Sequence, residues 1–423
     1  MTTNTILESD LTQPAFVAWI GLDWGHKENA FALQGPDGTR EEGTIPQTAE
    51  ALHQWLRGLA QRFSAKSVAV GLETKRGPII HALLEYPWLT IYPINPLTSA
   101  RYRSAFTPSG ASDDLPDARV LLELVRDHTA KLRPLQEQDP QEVQLSALVE
   151  ARRKTVDHRT ALVNELTSLL RSYYPQALQL VDKLHRELAQ AFLRRWPELI
   201  ALKAAKPSTV KNFYYAHNVR RPELIEKRLQ QIGQAVALTT DPARVSVAVL
   251  QLRCLLDQIR VLNKHVARFQ EQIKSLFKDH PEAYLFRDLP GAGPALAPRL
   301  CMAFGADRSL YPDPGSLQKL GGVAPVREKS GQQLWTHWRW RAPKFLRQSF
   351  VEWAGQTVVY SAWAKVYYQR MEAKGKGHAT ILRALAFKWI RVLWKCWQTR
   401  TPYDEARYLK QLVHRKSPNA VPA

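Results

Sequence analysis

Ala18-Trp19-Ile20-Gly21-Leu22-Asp23 is a short apolar run that ends on a carboxylate, and Val68-Ala69-Val70-Gly71-Leu72-Glu73 repeats the pattern further along. Runs of this length, bounded by polar residues and without helical spacing, read as buried strands. Asp114-Leu115-Pro116-Asp117 then opens an amphipathic helix, with Val120, Leu121, Leu124 and Val125 on one face. Acids at two strand ends and one helix start can converge. Two like charges about 4 Å apart repel by roughly 4 kcal/mol at an effective dielectric near 20, so a converged set calls for a counter-ion. Magnesium prefers carboxylate, water and phosphate oxygens, and a two-metal site suits in-line attack on a phosphodiester.

Outward from these runs, residues 16–130 alternate strand-like and helix-like segments, which predicts an α/β domain. The turn Gly35-Pro36-Asp37-Gly38 is expected to return the first strand, ending near Phe31-Ala32-Leu33, into a second antiparallel one. A helix over 47–62, a strand over 67–72, a helix over 77–86 and a strand over 90–94 follow, closing at Asn95-Pro96. The expected order is therefore β-β-α-β-α-β, then the helix that starts with the acid pair.

Residues 141–280 become helical and rich in Leu, Arg, Gln and Glu. Leu252, Leu255, Ile259, Leu262, Val266, Phe269, Ile273 and Leu276 alternate spacings of three and four, the seam of a coiled coil. Leu145, Leu148, Leu162, Leu166 and Leu169 give an earlier helix a matching stripe, interrupted by Arg152, Thr155 and Arg159. A coiled coil and a plain helical bundle both satisfy this pattern, and either makes a spacer or dimerisation arm.

The whole chain of 423 residues carries 59 Lys+Arg against 39 Asp+Glu, a formal charge of +20, which favours a polyanionic partner. The excess concentrates in residues 284–400, where Arg327 to Arg400 hold fifteen bases against three acids. Eight of the thirteen tryptophans lie in that same stretch. Trp335, Trp338 and Trp340 stand among Arg339 and Arg341 and suit stacking on bases or covering of sugar and phosphate, whereas Trp389, Trp394 and Trp397 have helical spacing that suits a core. Residues 401–423 read as a C-terminal tail, disordered after Pro418. Cys254, Cys301 and Cys396 are too far apart for a Cys-x-x-Cys zinc site, and the odd number argues against a disulfide framework. No signal-like segment or apolar span of about 18 residues is present, so a cytoplasmic protein with no membrane partner is expected.

Two glycine-rich turns punctuate the basic region. Leu289-Pro290-Gly291-Ala292-Gly293 has the form of a helix-hairpin-helix turn, in which Gly291 and Gly293 would let backbone approach a phosphate; an ordinary interhelical turn has the same form. Leu320-Gly321-Gly322-Val323-Ala324-Pro325 leads to Arg327-Glu328-Lys329-Ser330-Gly331, a serine between basic residues.

Taken in order over residues 16–400, these motifs resemble the RNA-guided, or bridge-RNA, transposases and recombinases of insertion sequences. That family joins a RuvC-like, RNase H-like Asp-Glu-Asp-Asp domain to a C-terminal serine-bearing transposase domain. The resemblance rests on Gly21-Leu22-Asp23, Glu73-Thr74, Asn95-Pro96, Asp114-x-x-Asp117-Ala118-Arg119, Leu289-Pro290-Gly291, Gly322-Val323-Ala324-Pro325 and Ser330-Gly331. It implies that Asp23, Glu73, Asp114 and Asp117 bind magnesium, or manganese, and that Ser330 attacks a DNA phosphodiester. Arg327, Lys329, Arg339 and Arg341, with Gly291 and Gly293, would then contact nucleic acid. Target and donor DNA, a structured guide RNA and further copies of the chain, as a dimer or tetramer, are the implied partners. Acids from one subunit would meet Ser330 of another, in a protein associated with the nucleoid of a bacterium or archaeon. Family members often carry a base just before the acid pair, where this chain has Ser112, and Asp113 adjoins Asp114, so either aspartate is a candidate third ligand. A RuvC-like nuclease hydrolysing branched DNA with water fits the acids as well, but leaves Ser330 unexplained. A non-catalytic scaffold would have no physical reason to keep four repelling charges.

Overall fold

The computed structural model describes residues 16–106, 114–136 and 139–419, and the chain divides into two compact units, before and after Gln138. Ser112 and Asp113 lie outside the described residues.

The first unit is a five-stranded sheet with helices on both faces. Its strands are β1 (Ala18–Trp24), β2 (Glu28–Gln34), β3 (Arg40–Pro46), β4 (Val68–Leu72) and β5 (Leu89–Pro93). They stand in the order β3-β2-β1-β4-β5, with β1, β4 and β5 mutually parallel and β2 antiparallel to both its neighbours. Three strands therefore precede the first helix, where the sequence reading has two. The extra break falls at Gly25, where a Cβ would stand 2.1 Å from the Glu28 carbonyl oxygen, so only glycine admits so tight a connection from β1 to β2. The turn at Gly35–Gly38 joins β2 to β3 instead.

Strand alternation sorts the side chains. Ala18, Ile20, Leu22, Val68, Val70 and Leu72 bury against Leu52, Leu56 and Leu59 of α1 (Ala49–Arg62) and Ile79, Ile80 and Leu83 of α2 (Pro78–Leu84). The odd positions Gly21, Asp23, Gly71 and Glu73 face the other way. On that face, beyond α3 (Pro96–Phe106), lies α4 (Asp114–Asp127). Gly21 and Gly71 are register partners, and α4 rests directly on them. A Cβ on Gly21 would sit 2.0 Å from the Ala118 carbonyl oxygen, and one on Gly71 would sit 2.9 Å from that of Leu121. Buried Ala118, Leu121, Leu122, Leu124 and Val125 complete the contact.

The second unit is built on two long helices, α5 (Pro140–Tyr173) and, after a run of short ones, α11 (Pro242–Lys278). Each begins on an aspartate cap and a proline: Asp139 accepts from the Gln141 N–H and Asp241 from that of Ala243. They pair antiparallel within the chain: Leu145 and Val149 share a core with Ile273 and Phe277, while Leu166 and Leu170 share another with Leu252, Leu255, Leu256 and Ile259. The predicted seam is real, and α5 of the same chain fills it. Between the two ends, Arg159 donates to the Asn263 Oδ1 at 2.9 Å, so an expected interruption of the stripe becomes a polar rung.

Short helices close the core at the α6 side: α6 (Ala177–Leu180), α7 (Glu187–Arg195), α8 (Leu199–Lys203), α9 (Pro207–Ala216) and α10 (Pro222–Gln234). At the other end α12 (Ala283–Phe286), α13 (Gly293–Phe304), α14 (Pro314–Leu320), α15 (Lys344–Tyr360), α16 (Ala362–Ala373) and α17 (His378–Gln398) enclose Trp353, Trp363, Trp389 and Trp397. Each of these indole N–H groups has an acceptor, as burial of a polar atom demands. A hairpin of β6 (Val326–Ser330) and β7 (Gln333–His337) projects between α14 and α15 in sequence. Much of the stretch read as a tail is helix α18 (Glu405–His414), held because Leu412 buries in this core and Glu405 accepts from the Ser361 hydroxyl and the Ala362 N–H at the start of α16. The last residues, 420–423, lie outside the described ones. Among the described residues no helix is long and apolar enough to cross a membrane.

Candidate active site

The sheet places Asp23 near the end of β1 and Glu73 just past β4, neighbouring parallel strands, and the glycine floor sets the start of α4 beside them. A Cβ added to Gly25 would lie 3.7 Å from the Asp114 Oδ2. Asp23 feels the other three carboxylates. Asp23, half-buried, has its carboxyl pushed up to about 6, first by burial and then by the charges of Asp117, Asp114 and Glu73. A hydrogen bond from the Trp24 backbone works in the opposite direction.

Two side chains of α3 answer this charge. The Ser99 hydroxyl, buried, donates to the Glu73 Oε1 and also lies 3.1 Å from the Pro96 carbonyl oxygen. The Arg103 guanidinium donates to the Asp117 Oδ1 in a half-buried ion pair. Sequence reasoning passed over both, because α3 buries Ser99 and carries no apolar stripe to announce it. Arg119, part of the acid-pair motif, clasps Glu42 of β3 through Nε and Nη2 at 2.7 and 2.6 Å. Among the described residues no three Asp, Glu, His or Cys side chains are already drawn together as a metal cage. Asp23 senses the other three acids, and Arg103 is a cation paired with one of them, Asp117.

In the second unit, Ser330 is the last residue of β6, exposed, paired with Gln333 across a turn in which Gly331 takes φ +59°. Glu328 lies on the same strand face and accepts from the Trp335 indole at 3.0 Å and from His337 Nε2 at 2.8 Å. That carboxylate raises the affinity of His337 for its proton, and the Trp338 carbonyl at the other ring nitrogen adds to it. Arg327 and Lys329 alternate to the opposite strand face, and Arg341 is exposed. Arg339 is half-buried, its carbonyl accepting from Arg347.

The two glycines of the first turn differ. Gly291, at φ +70°, is pressed on α15, where a Cβ would meet the Gln356 Cβ at 2.8 Å, so helix packing accounts for it. Gly293, at φ +54° and opening α13, has nothing within 4 Å of such a Cβ. The helix before this turn, α12, has only four residues.

Comparison with known proteins adds a second line of observation. A family model described as a transposase matches residues 20–175, the span that holds all four acids. A model described as the transposase IS116/IS110/IS902 family matches residues 283–369, which include Ser330. The protein named "Mini-circle putative transposase for IS117" of Streptomyces coelicolor is 27% identical over 411 residues, 95% of this chain and 99% of its own length. A 44.8 kDa protein of insertion element IS116 from Streptomyces clavuligerus is 24% identical over 89% of this chain and 93% of its own. For a 43.6 kDa protein of insertion element IS110 from Streptomyces coelicolor the identity is 23%, over 91% and 95%.

Proposed function

The chain belongs to the IS110/IS116 family of insertion-sequence transposases, enzymes whose partner is DNA, and we propose that it cuts and rejoins that DNA through a serine–phosphate linkage with the help of a divalent cation. The observation that carries the reading is the group of four acids in which burial, and then the charges of Asp117, Asp114 and Glu73, drive Asp23 up to about 6. A donor set of four carboxylates suits magnesium or manganese. Asp23, Glu73, Asp114 and Asp117 would hold it, and when bound it polarises phosphate oxygens. Ser99 orients Glu73, and Arg103 holds Asp117. The sheet order, with acids at the ends of adjoining parallel strands, supports a RuvC-like fold for this unit.

Ser330 is the proposed nucleophile, supported by its exposure at a hairpin tip between Lys329 and Gly331. Its hydroxyl oxygen forms one phosphorus–oxygen bond as the bond to the departing nucleotide breaks, so the freed DNA hydroxyl of another strand can reverse the exchange without outside energy. Gly293, at the open start of α13, is a proposed phosphate contact of helix-hairpin-helix type. The +20 charge supports a structured guide RNA, to be tested by sequencing nucleic acid that copurifies. Association into a homo-oligomer would use a surface other than the α5–α11 seam, which is filled within the chain.

The test is covalent trapping. Enzyme, magnesium, copurified RNA and labelled target DNA are incubated and denatured, and the protein-linked DNA is mapped by mass spectrometry. The expected adduct lies on Ser330, with Ser330→Ala binding DNA normally yet losing strand exchange by several orders of magnitude. Normal recombination by Ser330→Ala, or strand cleavage with no protein adduct, would establish water as the nucleophile instead.

A further inference from the structure

A cleft of about 460 Å³ opens among α5, α15, α17 and the stretch after β7, and Ser330 is not part of its wall. Three cations line it: Lys344 in the first turn of α15, Arg347 one turn further along, and Arg383 of α17. Both guanidiniums lie over the Trp338 ring, with Arg383 4.3 Å and Arg347 4.8 Å from its centre. Arg347 is further fixed by donating to the Arg339 and Trp340 carbonyls at 2.8 and 3.1 Å, and Arg383 by donating to the Thr380 hydroxyl at 3.1 Å.

The charge of this cleft is unbalanced. Asp157 is the one acid in its wall, and Arg153 already engages that carboxylate. None of Lys344, Arg347 and Arg383 has a carboxylate within ion-pair distance among the described residues. The capping position before α15 is Pro343, which offers no side chain to the first N–H groups of that helix. Half-buried guanidiniums held over one indole instead of spreading into solvent keep their mutual repulsion. An anion entering the cleft would relieve it, and the volume admits a nucleotide unit rather than a bare oxyanion.

We propose that the Trp338–Lys344–Arg347–Arg383 cleft is a binding site for the phosphodiester backbone of single-stranded nucleic acid, with Trp338 acting to hold the two guanidiniums in place. The inference rests on the transposase reading for the presence of nucleic acid, and extends it by assigning a backbone site separate from the proposed nucleophile. A guanidinium pair is suited to bridging phosphate oxygens, and Lys344 supplies a point charge at the mouth. DNA and RNA offer the same chemistry.

Fluorescence anisotropy with full-length protein separates the sources, using one labelled 30-nucleotide sequence made as DNA and as RNA, titrated at several salt concentrations. Lys344→Gln and Arg383→Gln are each expected to weaken binding several-fold and to lower the slope of log affinity against log salt by about 0.7, the effect of one fewer phosphate contact on a single strand. The strand whose affinity falls is the ligand. Lys395→Gln, an equal loss of charge at an exposed position of α17, should change binding less than two-fold by about the same reckoning of a distant screened charge. Equal losses in all three variants would reduce the effect to net charge and overturn the site, as would unchanged slopes for both strands. Binding by wild type that the cleft variants leave intact rejects this site alone, whereas failure of wild type to bind either strand rejects the site and the guide RNA together, the serine mechanism being judged by covalent trapping.

Discussion

Asp23 carries the mark of its burial and of its acidic neighbours. Its carboxyl titrates near 6 in the folded protein against an ordinary value of 3.8. A raised value means that the folded state binds the proton more tightly, so the contribution to stability is complete below about 4 and is lost as pH rises through about 6. In chelator, wild type is therefore expected to lose stability relative to Asp23→Asn across that window, by about 1 kcal/mol once solvent screening of a half-exposed group is allowed for. Thermal melts of both proteins at pH 4 and pH 7.5 check this. Magnesium should raise the melting temperature of wild type at pH 7.5 and leave that of Asp23→Asn nearly unchanged, since only the intact set gains from binding. Parallel melts with no difference at either pH would remove the basis for a shared site.

At the scale of elements, the glycines under α4 decide where Asp114 and Asp117 stand. Gly21→Ala would put a methyl group 2.0 Å from one backbone atom of α4 and 2.3 Å from another, neither of which can rotate away. A loss of about 3 kcal/mol or more is expected in urea unfolding, together with loss of strand exchange as the helix lifts. Gly58→Ala, in the middle of α1 with nothing within 4 Å, should instead stabilise by about 0.5–1 kcal/mol. The same contrast shows what was legible beforehand. An apolar run closing on an acid signals a buried strand because burial and charge leave marks in composition, and so β1, β4 and α4 were readable, and the α11 seam with them. Helix α3 was not, because its task is to present Ser99 and Arg103 to the acids, and polar service leaves no periodicity. The break after β1 was missed because its signal is a lone glycine, and α18 because Glu405 and Leu412 are ordinary residues whose partners lie far away in sequence. The division of labour between Gly291, packed on a helix, and Gly293, left open, depends on the position of α15 and is invisible in the turn itself.

Over the second unit as a whole, stability is divided between two cores joined by α5 and α11. The core near α6–α10 contains Trp196, and the other contains Trp353, Trp363, Trp389 and Trp397. Leu256→Ala, a full burial in the first core, is expected to cost about 2–4 kcal/mol there. Hydrogen exchange should quicken across residues 166–259 while protection at Trp353 and Trp389 stays as in wild type. Uniform loss of protection over both cores would show that they unfold as one. The joining helices also constrain how this protein can vary over time. Antiparallel partners clamped at both ends, near Leu145 with Phe277 and near Leu166 with Leu256, leave no slack for a change of length in one strand of the pair. Seven residues gained in α5 alone would throw its seam out of step with α11, whereas seven gained in each would only move the cores apart by about 10 Å. Insertions and deletions here are viable as matched pairs, and lineages of such elements should differ in the span between their cores by whole heptads.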